Sequence, residues 1–188
     1  MAVAEQGPWW SMGSETPEET RRLAEQLARR LAAGDVVTLA GALGTGKTTF
    51  VKGLAGGLGA DPEDVVSPTF QYVREVRGGR LVLFHVDCYR LLSPMGPQAS
   101  DEPAGRWRER ARVWLQELGL DHYLEAGGVV AVEWPEPLVD ALPDARFEVR
   151  LEFAPAGRKI QIRGLGPHPQ RVVEALAAGL GLAREGPG

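Results

Sequence analysis

Val36-Val37-Thr38-Leu39-Ala40, then Gly41-Ala42-Leu43-Gly44-Thr45-Gly46, then Lys47-Thr48-Thr49-Phe50-Val51-Lys52-Gly53-Leu54 follow one another directly, and their order decides the fold. The first stretch is apolar and rich in β-branched side chains, as a buried strand requires. The second is punctuated by glycine and has no periodic pattern. From Lys47 to about Leu58 the composition suits a helix. Residues 41–48 fit G-x-x-x-x-G-K-[ST] without a mismatch. In that pattern glycines let consecutive backbone amides turn inward as a nest for phosphate oxygens. The helix that follows adds the partial positive charge of its N-terminus. The lysine sets an ammonium between the outer phosphates, and the hydroxyl after it can ligate magnesium. A strand before the loop and a helix after it separate this motif from a chance glycine-rich turn. The reading is therefore an α/β, P-loop NTPase-like fold, a mixed sheet flanked by helices in a single domain, with ATP and magnesium held around Gly44, Thr45, Gly46, Lys47, Thr48 and Thr49.

Outward from the loop, the chain reads as alternating helices and strands. Thr16, Pro17 and Glu19 form a helix start, with Thr16 as N-cap, Pro17 at the first helical position and Glu19 at capping-box spacing. Leu23, Leu27 and Leu31 recur every fourth residue and carry an amphipathic helix to about Ala33, where Gly34 ends it. Phe70–Val76 and Arg80–Val86 read as strands of a hairpin around Gly78-Gly79. A short helix is expected over Leu118–Leu124 and a buried strand over Gly128–Trp134. Alternation of Phe147, Val149, Leu151 and Phe153 with charged residues predicts a half-exposed strand over Arg146–Phe153, followed by a turn and a partner strand over Lys159–Arg163. A closing helix is expected over Pro169–Leu182. The domain is set at 14–182, with 1–13 as a flexible leader, 183–188 as a frayed tail and 93–112 as a surface insertion.

Composition narrows the class. The chain has 188 residues, enough for one α/β domain with a sizeable core. Its apolar runs, such as Leu81–Val86, fall far short of the roughly 20 residues that span a bilayer. Met1–Gly13 has neither a basic start nor an apolar core, so no secretory signal is expected and the protein is placed in the cytoplasm, with no membrane partner. Cys88 is the only cysteine, which excludes an internal disulfide and a cysteine-based metal site. His85, His122 and His168 lack ligand spacing and are expected to be structural or solvent-facing. A net charge of −4 argues against unaided binding to nucleic acid, and no DNA partner is expected.

A nucleotide site of this kind needs a carboxylate at the end of a neighbouring strand. Asp87 ends Leu81–Val86 and Glu133 ends Val129–Val132, both at carboxyl ends of strands, where α/β folds bind ligands. Ser67-Pro68-Thr69 reads as a switch segment whose hydroxyl senses the terminal phosphate. The chain contains no asparagine and no Asp-x-x-Gly, so the guanine-reading and switch motifs of GTPases are missing and ATP is favoured. Two other readings share the loop. One is a small-molecule kinase, whose lid arginines Arg106–Arg112 would imitate. The other is a nucleotide-dependent binding module with negligible hydrolysis. Arg106, Arg108, Arg110 and Arg112 also fit either a solvated charged helix start or a basic patch for RNA or an acidic partner.

The ordered set Gly41–Phe50, Ser67-Pro68-Thr69-Phe70, His85-Val86-Asp87-Cys88-Tyr89-Arg90-Leu91, Leu118-Gly119-Leu120-Asp121, Tyr123-Leu124 and Val132-Glu133-Trp134-Pro135 resembles the TsaE (YjeE) family. That family consists of bacterial ATPases required for threonylcarbamoyl modification of tRNA adenosine 37 (t6A). The resemblance implies that Gly44–Thr49 bind the phosphates and that Thr48 and Glu133 hold magnesium. It further implies that Asp87 serves hydrolysis alongside Lys47 and Glu133, and that Trp134 sits beside the nucleotide. Arg158 would reach the nucleotide from the hairpin turn, and the backbone near Pro17 would border the adenine. The implied partners are the TsaB–TsaD heterodimer, with tRNA engaged only indirectly through that complex. The chain departs from the family at Ala42, where aspartate is usual, and in the insertion Ser93–Arg112.

Overall fold

The computed structural model describes residues 7–66, 73–89, 113 and 120–186. The expectations for Ser67–Thr69, the 93–112 insertion and Arg106–Arg112 fall outside them. Eight strands form one sheet in the order β3-β4-β5-β2-β6-β7-β1-β8. They are β1 (Trp10–Ser14), β2 (Val36–Ala40), β3 (Val73–Val76), β4 (Leu83–Asp87), β5 (Val129–Glu133), β6 (Arg146–Ala154), β7 (Gly157–Leu165) and β8 (Ala183–Arg184). The helices are α1 (Pro17–Ala28), α2 (Lys47–Leu58), the short α3 (Leu120–Glu125) and α4 (Pro167–Leu180). Strands β4, β5, β2 and β6 are parallel, and β3, β7 and β1 join antiparallel. The sheet is mixed, as the sequence predicts.

Side-chain alternation sorts the parallel strands onto two cores. Val37, Leu39, Leu83, Val129, Ala131, Phe147, Val149 and Leu151 face α1, α2 and α4 in the larger cluster. Their neighbours Val36, Phe84, Val86, Val130 and Val132 face the other way and pack on Leu138 and Leu142 from the turns after β5. Both faces of β2 and β5 are thus buried, which explains their unbroken apolar runs.

The cap of α1 forms as read. Thr16 Oγ1 accepts from Glu19 N–H at 3.2 Å, while the Glu19 carboxylate reaches back to Glu15 N–H at 2.7 Å. The helix stops earlier than the leucine spacing predicts. Arg30 and Leu31 donate to Leu27 and Ala28 in a tightened turn, and Arg80 Nη2 donates to the carbonyls of Ala28 and Leu31 at 2.6 Å each. Leu31 stays buried without being helical. The same arginine shortens β4 at its start: Arg80 N–H donates to Leu58 O at 2.8 Å and ties residue 80 to the end of α2, while Val82 O accepts from Val129 N–H at 2.9 Å beside β5. The α4 helix begins two residues before the expected Pro169, at Pro167, and Gly181 in the left-handed region ends it.

The largest correction concerns the leader. Trp10–Ser14 is a strand in full register with Ile162–Arg158 of β7, and Trp10 and Met12 pack against the main core. The tail likewise contributes Ala183–Arg184, paired to Ser11 and Trp10.

Candidate functional site

Strand β2 lies between β5 and β6, so the loop after it opens at the centre of the sheet's carboxyl edge. Gly41, Gly44 and Gly46 all have positive φ (144°, 79° and 103°). Gly41 is also confined by space, since a Cβ there would lie 2.2 Å from Leu151 O. Gly46 is the N-cap of α2 and has no side chain to satisfy the helix's first amides, which stay available to an anion.

Register does the next step. Asp87 on β4 pairs with Glu133 on β5, and Glu133 pairs with Leu39 on β2, so both carboxylates end beside the loop. A cavity of about 330 Å³ is lined by Leu43, Gly44, Gly46, Lys47, Thr48, Thr49, Asp87, Tyr89, Glu133 and Trp134. The structure therefore gathers most of the predicted residues at one place. Three stand apart from these walls among the described residues. Thr45 is buried inside the loop, where its Oγ1 donates to Ala42 O at 2.8 Å. Arg158 donates to the carbonyls of Thr45 (3.1 Å), Gly44 (3.0 Å) and its own neighbour Gly157 (2.8 Å), and so braces the loop from β7. Pro17 opens α1 and is not part of the walls.

Lys47 is only 4 % exposed. Its Nζ donates to Gly41 O at 2.8 Å and Ala42 O at 2.9 Å, and lies 3.7 Å from the centroid of the Trp134 ring. Burial pushes its pKa below the ordinary lysine value of 10.5, against the opposing charges of Glu133, Asp87 and Glu136. Trp134 has φ +57°, an uncommon conformation for a non-glycine residue, and its N–H donates to Leu39 O at 3.1 Å. Its ring also meets Tyr89 at 5.1 Å between centroids. The strained backbone turns the indole back over the lysine as β5 ends.

Glu133 is 3 % exposed and both its oxygens are engaged. Oε2 accepts from Thr48 Oγ1 at 3.2 Å, and Oε1 meets His85 Nε2 at 2.9 Å. Asp87, less enclosed, accepts from Tyr89 N–H at 3.0 Å in an Asx-type turn and has a further partner. A hydroxyl and a carboxylate within 3.2 Å supply hard oxygen donors of the kind a divalent cation takes, beside an ammonium suited to anions. Among the described residues no three His, Cys, Asp or Glu side chains converge to cage a metal by themselves. A cation here would complete its coordination with water or with the oxygens of a bound anion.

Sequence reasoning named His85 without seeing that it belongs to the site. The available signal was its place two residues before Asp87, on the same face of a strand otherwise apolar from Leu83 to Val86. Tyr89 and Leu43 also line the cavity without having been singled out.

The chain matches known proteins in sequence and in fold. The family model described as "Threonylcarbamoyl adenosine biosynthesis protein TsaE" matches residues 14–160. The tRNA threonylcarbamoyladenosine biosynthesis protein TsaE of Bacillus subtilis (strain 168) is 36% identical over 162 residues, covering 86% of this chain and 89% of its own. The protein of the same name from Mycobacterium bovis is 40% identical over 139 residues, 72% of this chain and 74% of its own. The crystal structure of Bacillus subtilis YdiB aligns with a TM-score of 0.67 and 30% identity over 95% of this chain and 99% of that one. Sequence and fold agree, and the chain belongs to the TsaE family of threonylcarbamoyl adenosine biosynthesis proteins.

Proposed function

We propose that this protein is a cytoplasmic P-loop ATPase that binds ATP with magnesium and hydrolyses it in support of a TsaB–TsaD pair during t6A formation on tRNA. The observation that carries the reading is the Glu133–Thr48 contact at 3.2 Å, set in one cavity with Lys47 and the three positive-φ glycines of the loop. The name shared by the relatives from Bacillus subtilis and Mycobacterium bovis supports the tRNA part.

In this reading the amides of Gly44–Thr49 and the Lys47 ammonium bind the phosphates. Lys47 would give up the carbonyls of Gly41 and Ala42 for phosphate oxygens, trading one set of hydrogen bonds for a stronger, charge-assisted set. Thr48 and Glu133 are the residues that would hold magnesium, which supplies charge neutralisation on the outer phosphates when bound. Asp87, at the neighbouring strand end and open to the cavity, would orient the attacking water. Trp134 would cover the site on the side of Lys47, and Arg158 would hold the loop's shape from outside it.

The test is nucleotide binding and phosphate release, each measured with and without TsaB–TsaD. Wild-type protein binds ATP with magnesium and releases phosphate. Lys47→Ala loses roughly 30- to 150-fold in affinity, the value of about 2–3 kcal/mol for a charge-assisted contact. Asp87→Asn keeps nucleotide binding and loses turnover, while Glu133→Gln loses turnover together with most of the tightening that magnesium gives and keeps the binding seen without magnesium. Wild-type affinity in Lys47→Ala, or wild-type turnover in both carboxylate variants, sinks the reading.

A further inference from the structure

A histidine buried in an apolar strand needs a reason. His85 is fully buried on β4, on the same side of the sheet as Leu83, between that core residue and Asp87. Among the described residues its Nδ1 has no hydrogen-bond partner. A buried polar atom without a partner is destabilising, and leucine or phenylalanine would fill the position without leaving one. What those residues lack is Nε2, placed 2.9 Å from Glu133 Oε1. A ring protonated on Nε2 donates to the carboxylate and leaves only a lone pair, not a proton, without a partner.

The consequence concerns Glu133. A carboxylate has two oxygens and free rotation about its last bond. Here one oxygen is tied to His85 and the other accepts from Thr48 Oγ1 at 3.2 Å. Removing the imidazole leaves Oε1 buried without a donor, and the carboxylate either rotates or draws water into the core. We propose that His85 is a positioning residue: through Nε2 it fixes the Glu133 carboxylate so that Oε2 is presented beside the Thr48 hydroxyl. This inference rests on the magnesium–nucleotide reading given above. Outer partners that orient a ligating carboxylate are worth 10–100-fold in metal affinity or activity in known sites.

Calorimetric titration of a non-hydrolysable ATP analogue, in magnesium and again in EDTA, tests it on wild type, His85→Leu and His85→Gln. Glutamine carries an amide N–H at the position of Nε2, whereas leucine carries no donor. The expected result is that His85→Leu loses roughly 10- to 100-fold of the tightening that magnesium gives, with affinity in EDTA unchanged. His85→Gln keeps most of that tightening. A leucine variant with the full magnesium effect overturns the proposal, and so does a glutamine variant that loses it as completely as leucine. If wild type binds no nucleotide, the ATPase reading fails and this inference falls with it. If wild type binds normally and leucine changes nothing, this inference alone fails. Should His85→Leu not fold, nitrogen NMR of the wild-type imidazole decides. An Nε2-protonated ring whose signal moves when magnesium joins the nucleotide complex supports the proposal. An Nδ1-protonated ring, or one that does not respond, overturns it.

Discussion

Lys47 is the residue on which the site's electrostatics turn. Its ammonium is held out of water by two backbone carbonyls and one indole face, and burial lowers its pKa against the pull of Glu133, Asp87 and Glu136. The sign of the resulting pH dependence differs for folding and for binding. The folded-state pKa lies below the unfolded one, so between the two values the unfolded chain binds more protons and stability rises with pH. Phosphate does the reverse, because an anion beside Lys47 favours the charged form. ATP affinity is expected to fall as pH rises through the lowered pKa, well before an ordinary lysine's 10.5. A titration of ATP–magnesium affinity from neutral to alkaline pH checks this, and a flat profile up to the ordinary lysine range would contradict it. The neighbouring thiol shows the same burial from the opposite side. Cys88 is enclosed in the second core, and burial together with Asp87, Glu136 and Glu133 pushes its pKa up, so it behaves as an apolar side chain and not as a nucleophile.

At the scale of elements, the placement of Lys47 and Thr48 depends on how α2 sits on α1. Gly53 and Gly57 are one turn apart and bring the α1 backbone into direct contact. A Cβ on Gly53 would lie 2.5 Å from Arg21 O, and one on Gly57 would lie 2.5 Å from Glu25 O. Between them Gly56 has its nearest neighbour at 3.4 Å, an ordinary contact. Opposite signs follow for chemically identical changes. Gly57→Ala should destabilise by about 1–3 kcal/mol, since the helices must separate. Gly56→Ala should stabilise by up to about 1 kcal/mol through helix propensity. Urea denaturation of the two variants checks the pair, and the same sign for both would mean that the helix contact is not as tight as these distances state. Nothing in the local pattern of α2 separates the three glycines, because the distinction belongs to α1. The same limit runs through the rest of the chain. The loop, both carboxylate strand ends and the α1 cap were legible because motif, period and capping residues are local. The early end of α1 was not, since it depends on Arg80, some fifty positions away in the chain. Nor was the His85–Glu133 pair, which exists only when β4 and β5 lie side by side.

For the whole molecule, the sheet has a parallel half that bears the site and an antiparallel half that holds the loop in shape. The second half begins with the segment read as a leader. Trp10–Ser14 pairs with β7, and at its end Ser14 and Glu15 press on the β6–β7 turn: a Cβ on Gly157 would lie 2.3 Å from Ser14 O. The next residue is Arg158, whose guanidinium holds Gly44 and Thr45 and stacks over Phe153 at 4.4 Å. The first strand is thus connected to the glycine loop after β2 through one tight turn and one arginine. It also ties down the tail, because Glu185 N–H donates to Trp9 O at 2.8 Å and Lys159 pairs with Glu185 at 2.8 Å. A family signal that starts at residue 14 leaves most of this strand outside it, and the pairing with residues 158–162 is too distant for any local pattern to betray. Deleting residues 1–13 should therefore do two things. It uncovers Trp10's and Met12's contacts with the main core and frees the edge of β7, a loss of about 3–5 kcal/mol that lowers the melting temperature by roughly 6–20 °C and favours association through the bare edge. It also loosens the turn that carries Arg158, so ATP affinity drops by a few-fold even at temperatures where the truncated protein is folded. Thermal melts, sizing and nucleotide titration on the truncated chain measure the two effects separately. A truncated protein that melts lower yet binds ATP as tightly as the full chain would show that the hairpin holds Arg158 without help from the first strand.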